Sequence, residues 1–472
     1  MIYYNVTIVG IVLLSFILRF YKLQDLMMFI GDQGWFYISA RDLILKNDVP
    51  LVGITSSHTW LHQGALWTYM LAPVLWLFNF NPVGGAYLSS LLGVITVFLV
   101  YKVGKEIFSR NIGLIAAFLY ATSPLVIVHA RLAYHTSPIP LFTTMLFYAV
   151  YKWIKGNVFY FPFIIFLLAI LYNLELATFT LVPIIVILLL TGFATKKEWV
   201  KGLVNKKIVL LSFIGFIVPM IPMIIYDFSH GFPQTLKFIV WVGYKIAVTL
   251  RLYPPLHPNA PGETYATMLP FVSMLITRLV FIRSDVFTWI LLLASFGTLF
   301  WFTLKAVRKR QYITSFTLLF IFFTILALGY VSAKTNSEGY LPVFFPIVMI
   351  VVAVFLEKII SFRLLYIPTF VILIFIGFSN IYTLISKNYL MGKNGYGPPL
   401  YDRISIAKEI IKKAENNKYN LKGKGEGSQY ESFTMNYEYL TWWLGQAPSK
   451  EKQDLVFTIE EKEGKIYLNK ND

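Results

Sequence analysis

No cysteine occurs among the 472 residues, which excludes disulfides, thiolate nucleophiles and cysteine-ligated metals. Charge is also scarce: Asp, Glu, Lys and Arg make up 14% of the chain, where a soluble domain carries about a quarter. Acid is the rarer sign, with 24 acidic residues against 41 basic ones. There is no Asp-x-Asp pair to hold a divalent metal on a sugar nucleotide, no HExxH, no Walker A loop, and no GxGxxG after a strand. The one glycine-rich stretch, Gly423-Lys424-Gly425-Glu426-Gly427, lacks the Lys-Ser/Thr ending and reads as a loop. No repeat of fixed period is visible.

What is present is apolar. Hydrophobic residues reach 57% and aromatics 17%, with a mean hydropathy of +0.65. So little polar surface cannot close a soluble globule of this size. The apolar residues come in long runs rather than in alternation, which excludes an outer-membrane barrel. The sequence reads as an all-α polytopic membrane protein.

Runs long and apolar enough to cross a bilayer lie near 4–21, 84–102, 112–130, 138–152, 158–174, 176–194, 208–226, 285–304, 313–331, 340–357 and 365–386. The first has no positive n-region before it and no small-residue cleavage site after it, so it reads as a retained span. The loops 102–111, 152–157, 195–207, 305–312 and 357–364 together hold 16 Lys and Arg against Glu106, Glu198 and Glu357. By the positive-inside rule these loops are cytoplasmic. Most of the net charge of +17 is thus an orientation signal, which argues against a nucleic-acid partner.

One run, 62–78, is short and contains Pro73. If it spans, there are twelve spans and an outer N-terminus; if it lies along the outer interface, there are eleven and the N-terminus is cytoplasmic. The segment 32–46 sets Trp35, Phe36, Ala40, Leu43 and Ile44 against Arg41, Asp42 and Lys46, the pattern of an interfacial helix, and this favours eleven. The expected organisation is a transmembrane part, 1–386, with outer loops at 22–83 and 227–284, and a small α+β tail, 387–472, on the outer side. The tail opens with a Gly/Pro linker, continues in an amphipathic helix over 403–417, and ends in a hairpin around Lys462-Glu463-Gly464.

Ionisable residues at the edges of spans are the functional candidates. Asp32 follows the first span and opens the interfacial helix. A carboxylate there suits a general base, or else an N-cap, though Trp35 at the third position leaves no capping box. His58 and His62 are four apart but lack a third zinc ligand, so they read as binders of a headgroup or sugar. His129, Arg131 and His135 cluster where a span emerges. Arg131 there either snorkels or meets an anionic phosphate. Glu175, in a turn between spans, and Lys334, near the outer end of a later one, are further candidates for contact with substrate.

In order along the first third of the chain come Leu18-Arg19-Phe20-Tyr21-Lys22-Leu23, Gly31-Asp32-Gln33-Gly34-Trp35-Phe36-Tyr37, Trp60-Leu61-His62-Gln63-Gly64-Ala65-Leu66-Trp67-Thr68-Tyr69, Tyr87 to Phe108, and Ala116 to Pro124 followed by Ser137-Pro138. This series resembles the C-type membrane glycosyltransferase superfamily, in particular the relatives of protein O-mannosyltransferases and of the lipid A aminoarabinose transferase. Past residue 150 the likeness is one of topology, with an echo at Tyr226 to Phe232. The resemblance implies eleven spans with 62–78 as a second interfacial helix, and Asp32 as the catalytic acid group. Gln33, His58, His62, Tyr69, Arg131, His135, Glu175 and Lys334 are the residues expected to bind substrate. Gln33 stands where the family often has a second carboxylate, and His135 where several relatives have Asp.

The implied activity is inverting transfer of a sugar from a polyprenyl-phosphate donor to a protein, lipid or glycan acceptor at the cell membrane. It requires no cofactor, and it leaves open whether a divalent metal takes part. A polymerase or ligase of lipid-linked glycans and a non-catalytic lipid or polysaccharide transporter are the alternatives.

Overall fold

The computed structural model describes residues 2–55, 61–254, 265–311, 314–315, 317–321, 324, 338–392, 397–425 and 427–471. Of the expected spans, 313–331 lies mostly outside this set. The described chain is mostly helical. Its first helices are α1 (Ile2–Phe20), α2 (Leu23–Leu26), α3 (Gly31–Lys46), α4 (Leu66–Leu77) and α5 (Val83–Ile107). Next come α6 (Arg110–Thr122), α7 (Pro124–Ala130), α8 (Ile139–Ile154), α9 (Tyr160–Leu174) and α10 (Leu181–Ala194). They are followed by α11 (Glu198–Lys201), α12 (Lys206–His230), α13 (Pro233–Thr249), α14 (Tyr265–Val280) and α15 (Asp285–Arg308). The last two of the bundle are α16 (Phe345–Ile360) and α17 (Tyr366–Ser386).

Among the described residues five helices are long and apolar enough to cross a membrane, and a sixth candidate is the pair α6 and α7. That pair is bent by 66°. The run 112–130 was expected to be continuous. It breaks at Ser123-Pro124 because proline has no N–H for the helix ladder, while Ser123 leaves the helix to donate to the Leu279 carbonyl at 2.6 Å. The helix α4 has 12 residues, about 18 Å, too short for a bilayer core of about 30 Å.

Two expectations need correction. The loop 227–284 holds two helices, α13 and α14, whose apolar residues were masked in the sequence by the surrounding prolines and polar residues. The helix α3 matches the expected segment, but Phe36 and Ala40 of its apolar face are covered by protein. It is packed between α4 and the C-terminal segment, burying Phe36, Tyr37 and Ala40.

Three of the basic loops, 102–111, 152–157 and 195–207, meet at one end of the bundle. Lys152 pairs with Glu106 at 2.6 Å, and the Trp153 indole donates to the Trp199 carbonyl at 3.0 Å. Residues 31–37, 61–64, 131–136 and 173–175 meet at the opposite end. Two buried arginines lock that end. Arg19, fully buried, donates to the Tyr120 and Ala121 carbonyls where α6 stops, each at 3.4 Å, and to Ser15 Oγ at 2.6 Å. Arg131, 1% exposed, donates to the Arg19 and Tyr21 carbonyls at 3.0 and 2.8 Å and more distantly to those of Leu18 and Lys22. Leu18 and Arg19 belong to the last turn of α1, whose carbonyls lack helical partners, and Tyr21 and Lys22 follow it in the turn to α2. The Tyr389 ring covers the same guanidinium at 4.0 Å.

The C-terminal segment contains α18 (Leu400–Ala414), α19 (Met435–Trp443) and strands β1 (Asn420–Lys424), β2 (Val456–Lys462) and β3 (Lys465–Asn471). The sheet order is β1-β2-β3, parallel between the first two and antiparallel between the last two. The expected hairpin is present, turning through Glu463 and Gly464 with both residues left-handed. The strand β1 and the helix α19 were not expected. Buried Ile410, Tyr419, Tyr437, Phe457 and Ile459 form a core for this segment. Arg403 pairs with Glu461 at 2.7 Å beneath it.

Candidate functional site

Asp32 sits in the first turn of α3, where a carboxylate is favoured by the helix dipole. It is not the N-cap: that position is Ile30, which has no side-chain acceptor. The cap falls to Gln33, whose Oε1 accepts from the Ile30 N–H at 2.9 Å. This is one half of a capping box, displaced two residues from the expected frame. The Gln33 Nε2 donates to the Met28 carbonyl at 3.1 Å and more distantly to that of Ala133. Gln33 is fully buried, with its amide committed to the backbone.

The Asp32 carboxylate is therefore free of capping duty, and both its oxygens accept from hydroxyls. Tyr134 donates to Oδ2 at 3.0 Å, and Ser432, from the C-terminal segment, donates to Oδ1 at 2.6 Å. The Tyr134 ring lies against the His135 ring with centroids 4.0 Å apart, and Phe36 abuts both.

His135 leads to a second cluster. Its Nε2 lies 3.2 Å from Glu175 Oε2, and Gln63 Nε2 donates to that same oxygen at 3.1 Å. Glu175 Oε1 accepts from the Ala177 N–H, capping the short turn after α9. His135 and Glu175 are 4% and 7% exposed. His135 Nδ1 and Gln63 Oε1 are buried without a hydrogen-bond partner among the described residues, which is costly unless something occupies them. Gln63 was within a quoted motif and Tyr134 lies beside His135, but neither was singled out. Ser432 carried no sequence signal at all.

The other expected residues fall elsewhere. His62 joins the loop 53–64 to the α12–α13 corner: its main chain makes reciprocal bonds with the Gln234 amide, at 3.0 and 2.8 Å. Its Nδ1 faces the Gly53 carbonyl and Thr55 Oγ1, at 3.2 and 3.1 Å. Burial pushes the His62 imidazole below its ordinary pKa, against the Gly53 carbonyl, which raises it. Asp227, in the motif echo, accepts from the Gln234 and Thr235 N–H groups and so caps α13. Tyr69 donates to the Pro50 carbonyl. Arg131 is spent on α1, as described. His58 and Lys334 lie outside the described residues. No group of three His, Asp or Glu side chains able to hold a metal occurs among the described residues.

A family model described as dolichyl-phosphate-mannose-protein mannosyltransferase matches residues 62–226. No curated protein matches the chain. Solved structures match it in fold. The oligosaccharyltransferase AglB of Archaeoglobus fulgidus, in complex with an inhibitory peptide and a dolichol-phosphate, matches at 13% identity with a TM-score of 0.53. That match covers 93% of this chain and 63% of the archaeal one, so the chain spans under two thirds of that enzyme's length. An Archaeoglobus fulgidus oligosaccharyltransferase in complex with Zn and sulfate gives 14% and 0.60, covering 96% of this chain and 68% of that one. ArnT of Cupriavidus metallidurans, bound to undecaprenyl phosphate, gives 10% and 0.55 and covers 97% and 92%. At these identities the structural likeness is one of fold. The chain is thus similar to the C-type membrane glycosyltransferase superfamily, in sequence over residues 62–226 and in fold over nearly its whole length.

Proposed function

We propose that this protein transfers a sugar from a polyprenyl-phosphate carrier to an acceptor hydroxyl, by single displacement with inversion, at the outer face of the cell membrane. The observation that carries the reading is the Asp32 carboxylate. It is only partly buried, relieved of capping, and aimed by Tyr134 and Ser432 at the end of the bundle away from the basic loops. By the positive-inside rule that end is extracytoplasmic, with the N-terminus in the cytoplasm.

In the proposed step, Asp32 takes the proton of the acceptor hydroxyl as that oxygen bonds to the anomeric carbon. The bond from that carbon to the phosphate oxygen breaks, and the lipid departs as polyprenyl phosphate. The two unpartnered atoms, His135 Nδ1 and Gln63 Oε1, offer hydrogen bonds to polar groups of the donor. Lys334 is the remaining sequence candidate for the phosphate charge.

The test is release of free polyprenyl phosphate from a lipid-linked sugar when acceptor is added to purified protein. A transporter would release none. Asp32→Asn keeps the shape and should bind donor normally while losing about two to four decades of transfer rate. Wild-type turnover in that variant would remove Asp32 from the mechanism.

A further inference from the structure

The residue that holds Asp32 from the far side belongs to the C-terminal segment, 400 positions along the chain. We infer that Ser432 is a positioning residue of the transfer reaction, supplied by that segment to the carboxylate of Asp32. The inference rests on the reading of Asp32 as the base.

The contact is built rather than incidental. Ser432 Oγ donates at 2.6 Å, shorter than the 3.0 Å of Tyr134. The Ser432 backbone lies so close to α3 that a Cβ on Gly31 would strike its carbonyl oxygen, and one on Gly34 would strike the Met435–Asn436 peptide. Glycine at both positions permits this approach. Beside it, Asn436 Nδ2 donates to the Phe29 carbonyl at 2.7 Å, and Tyr439 OH donates to the Phe80 carbonyl at 2.7 Å. Tyr439 packs edge-on against Phe29 and Tyr37, and the Arg41 guanidinium lies 4.8 Å over the Trp442 ring.

A hydroxyl donating to a general base also has the geometry of an acceptor, so a mimic of the acceptor is the rival role for Ser432. The packing decides against that role. A mimic must leave, whereas Ser432 is fixed by its backbone against two glycines. With Tyr134 on one oxygen and Ser432 on the other, the carboxylate plane is set, and each oxygen keeps a lone pair for the acceptor.

The experiment compares Ser432→Ala, Ser432→Thr and Asp32→Asn in the same assay of polyprenyl phosphate release. The inference expects Ser432→Ala to lower kcat roughly ten- to a hundredfold, as loss of alignment does. Acceptor KM and donor binding should stay within about twofold. Ser432→Thr, which keeps the hydroxyl, should recover most of the rate. If Ser432→Ala fails to fold, Ser432→Cys keeps the size with a weak donor and should be slow where Thr is fast. Wild-type kcat in Ser432→Ala, with Asp32→Asn inactive, overturns this inference alone. A raised kcat would make the serine an acceptor mimic and overturns it too. An active Asp32→Asn overturns the reading beneath it.

Discussion

Arg131 distinguishes a structural cation from a catalytic one. The sequence offered it as a partner for the leaving phosphate, whereas the structure commits it to the end of α1. Two of its bonds are short, to the Tyr21 and Arg19 carbonyls at 2.8 and 3.0 Å, and two are at 3.4 Å and weak. A hydrogen bond from a charged donor contributes about 1.5–3 kcal/mol, so the two short bonds are worth about 3–6 kcal/mol before the burial of the charge is set against them. Removing one side of such a buried network costs about 3–5 kcal/mol. Arg131→Met should therefore destabilise by about 3 kcal/mol, since it also removes a buried charge. Arg131→Lys, a point charge without the fork, should lose about half as much.

The assay is thermal unfolding in detergent, beside turnover per folded molecule at a temperature where both variants are intact. Both should melt lower and turn over near the wild-type rate. A contact to the phosphate in the transition state predicts the reverse, wild-type melting with a rate lower by about two to three decades. That result in Arg131→Met would refute the capping argument.

Single-cysteine variants can be labelled without removing any native thiol, because the chain has none. In intact cells a cysteine at exposed Lys196 should resist an impermeant reagent and one at exposed Gln429 should react; the opposite pattern would invert the proposed orientation. The depressed pKa of His62 means that the unfolded chain binds this proton more readily than the folded one. Stability from this group is present above its ordinary pKa of about 6.5 and declines as the pH falls through the folded value. His62→Asn should flatten that acid limb in a melting series, and an unchanged slope would contradict the burial of the ring.

Composition made the membrane class legible, and most of the described long helices fall where apolar runs predicted them. The bend at Ser123-Pro124 was also in the sequence, as a dipeptide that punctuates helices. β1 was not: Asn420-Leu421-Lys422-Gly423-Lys424 has one apolar side chain and no β-branched residue. It is a strand because β2 offers a parallel edge, a tertiary cause that no local pattern records. The site divides in the same way. Asp32 was named from its place after a span, and the alternative reading of it as an N-cap fails because the helix begins at Gly31. His135 and Glu175 were both named, but their pairing across 40 residues could not be read from spacing. Ser432 is an ordinary serine until the fold brings it to Asp32.

That long reach orders events during synthesis. The ribosome delivers Asp32 to the membrane 400 residues before Ser432 exists. During that interval the carboxylate has, of its two hydroxyl donors, Tyr134 alone to hold it. Contacts of such sequence separation form last, after the local helices and the bundle have settled. Docking of the C-terminal segment on Gly31 and Gly34 is then the step that completes the cluster. A chain arrested before residue 432 would insert, span and expose Asp32, but it would lack the second hydroxyl of the clamp.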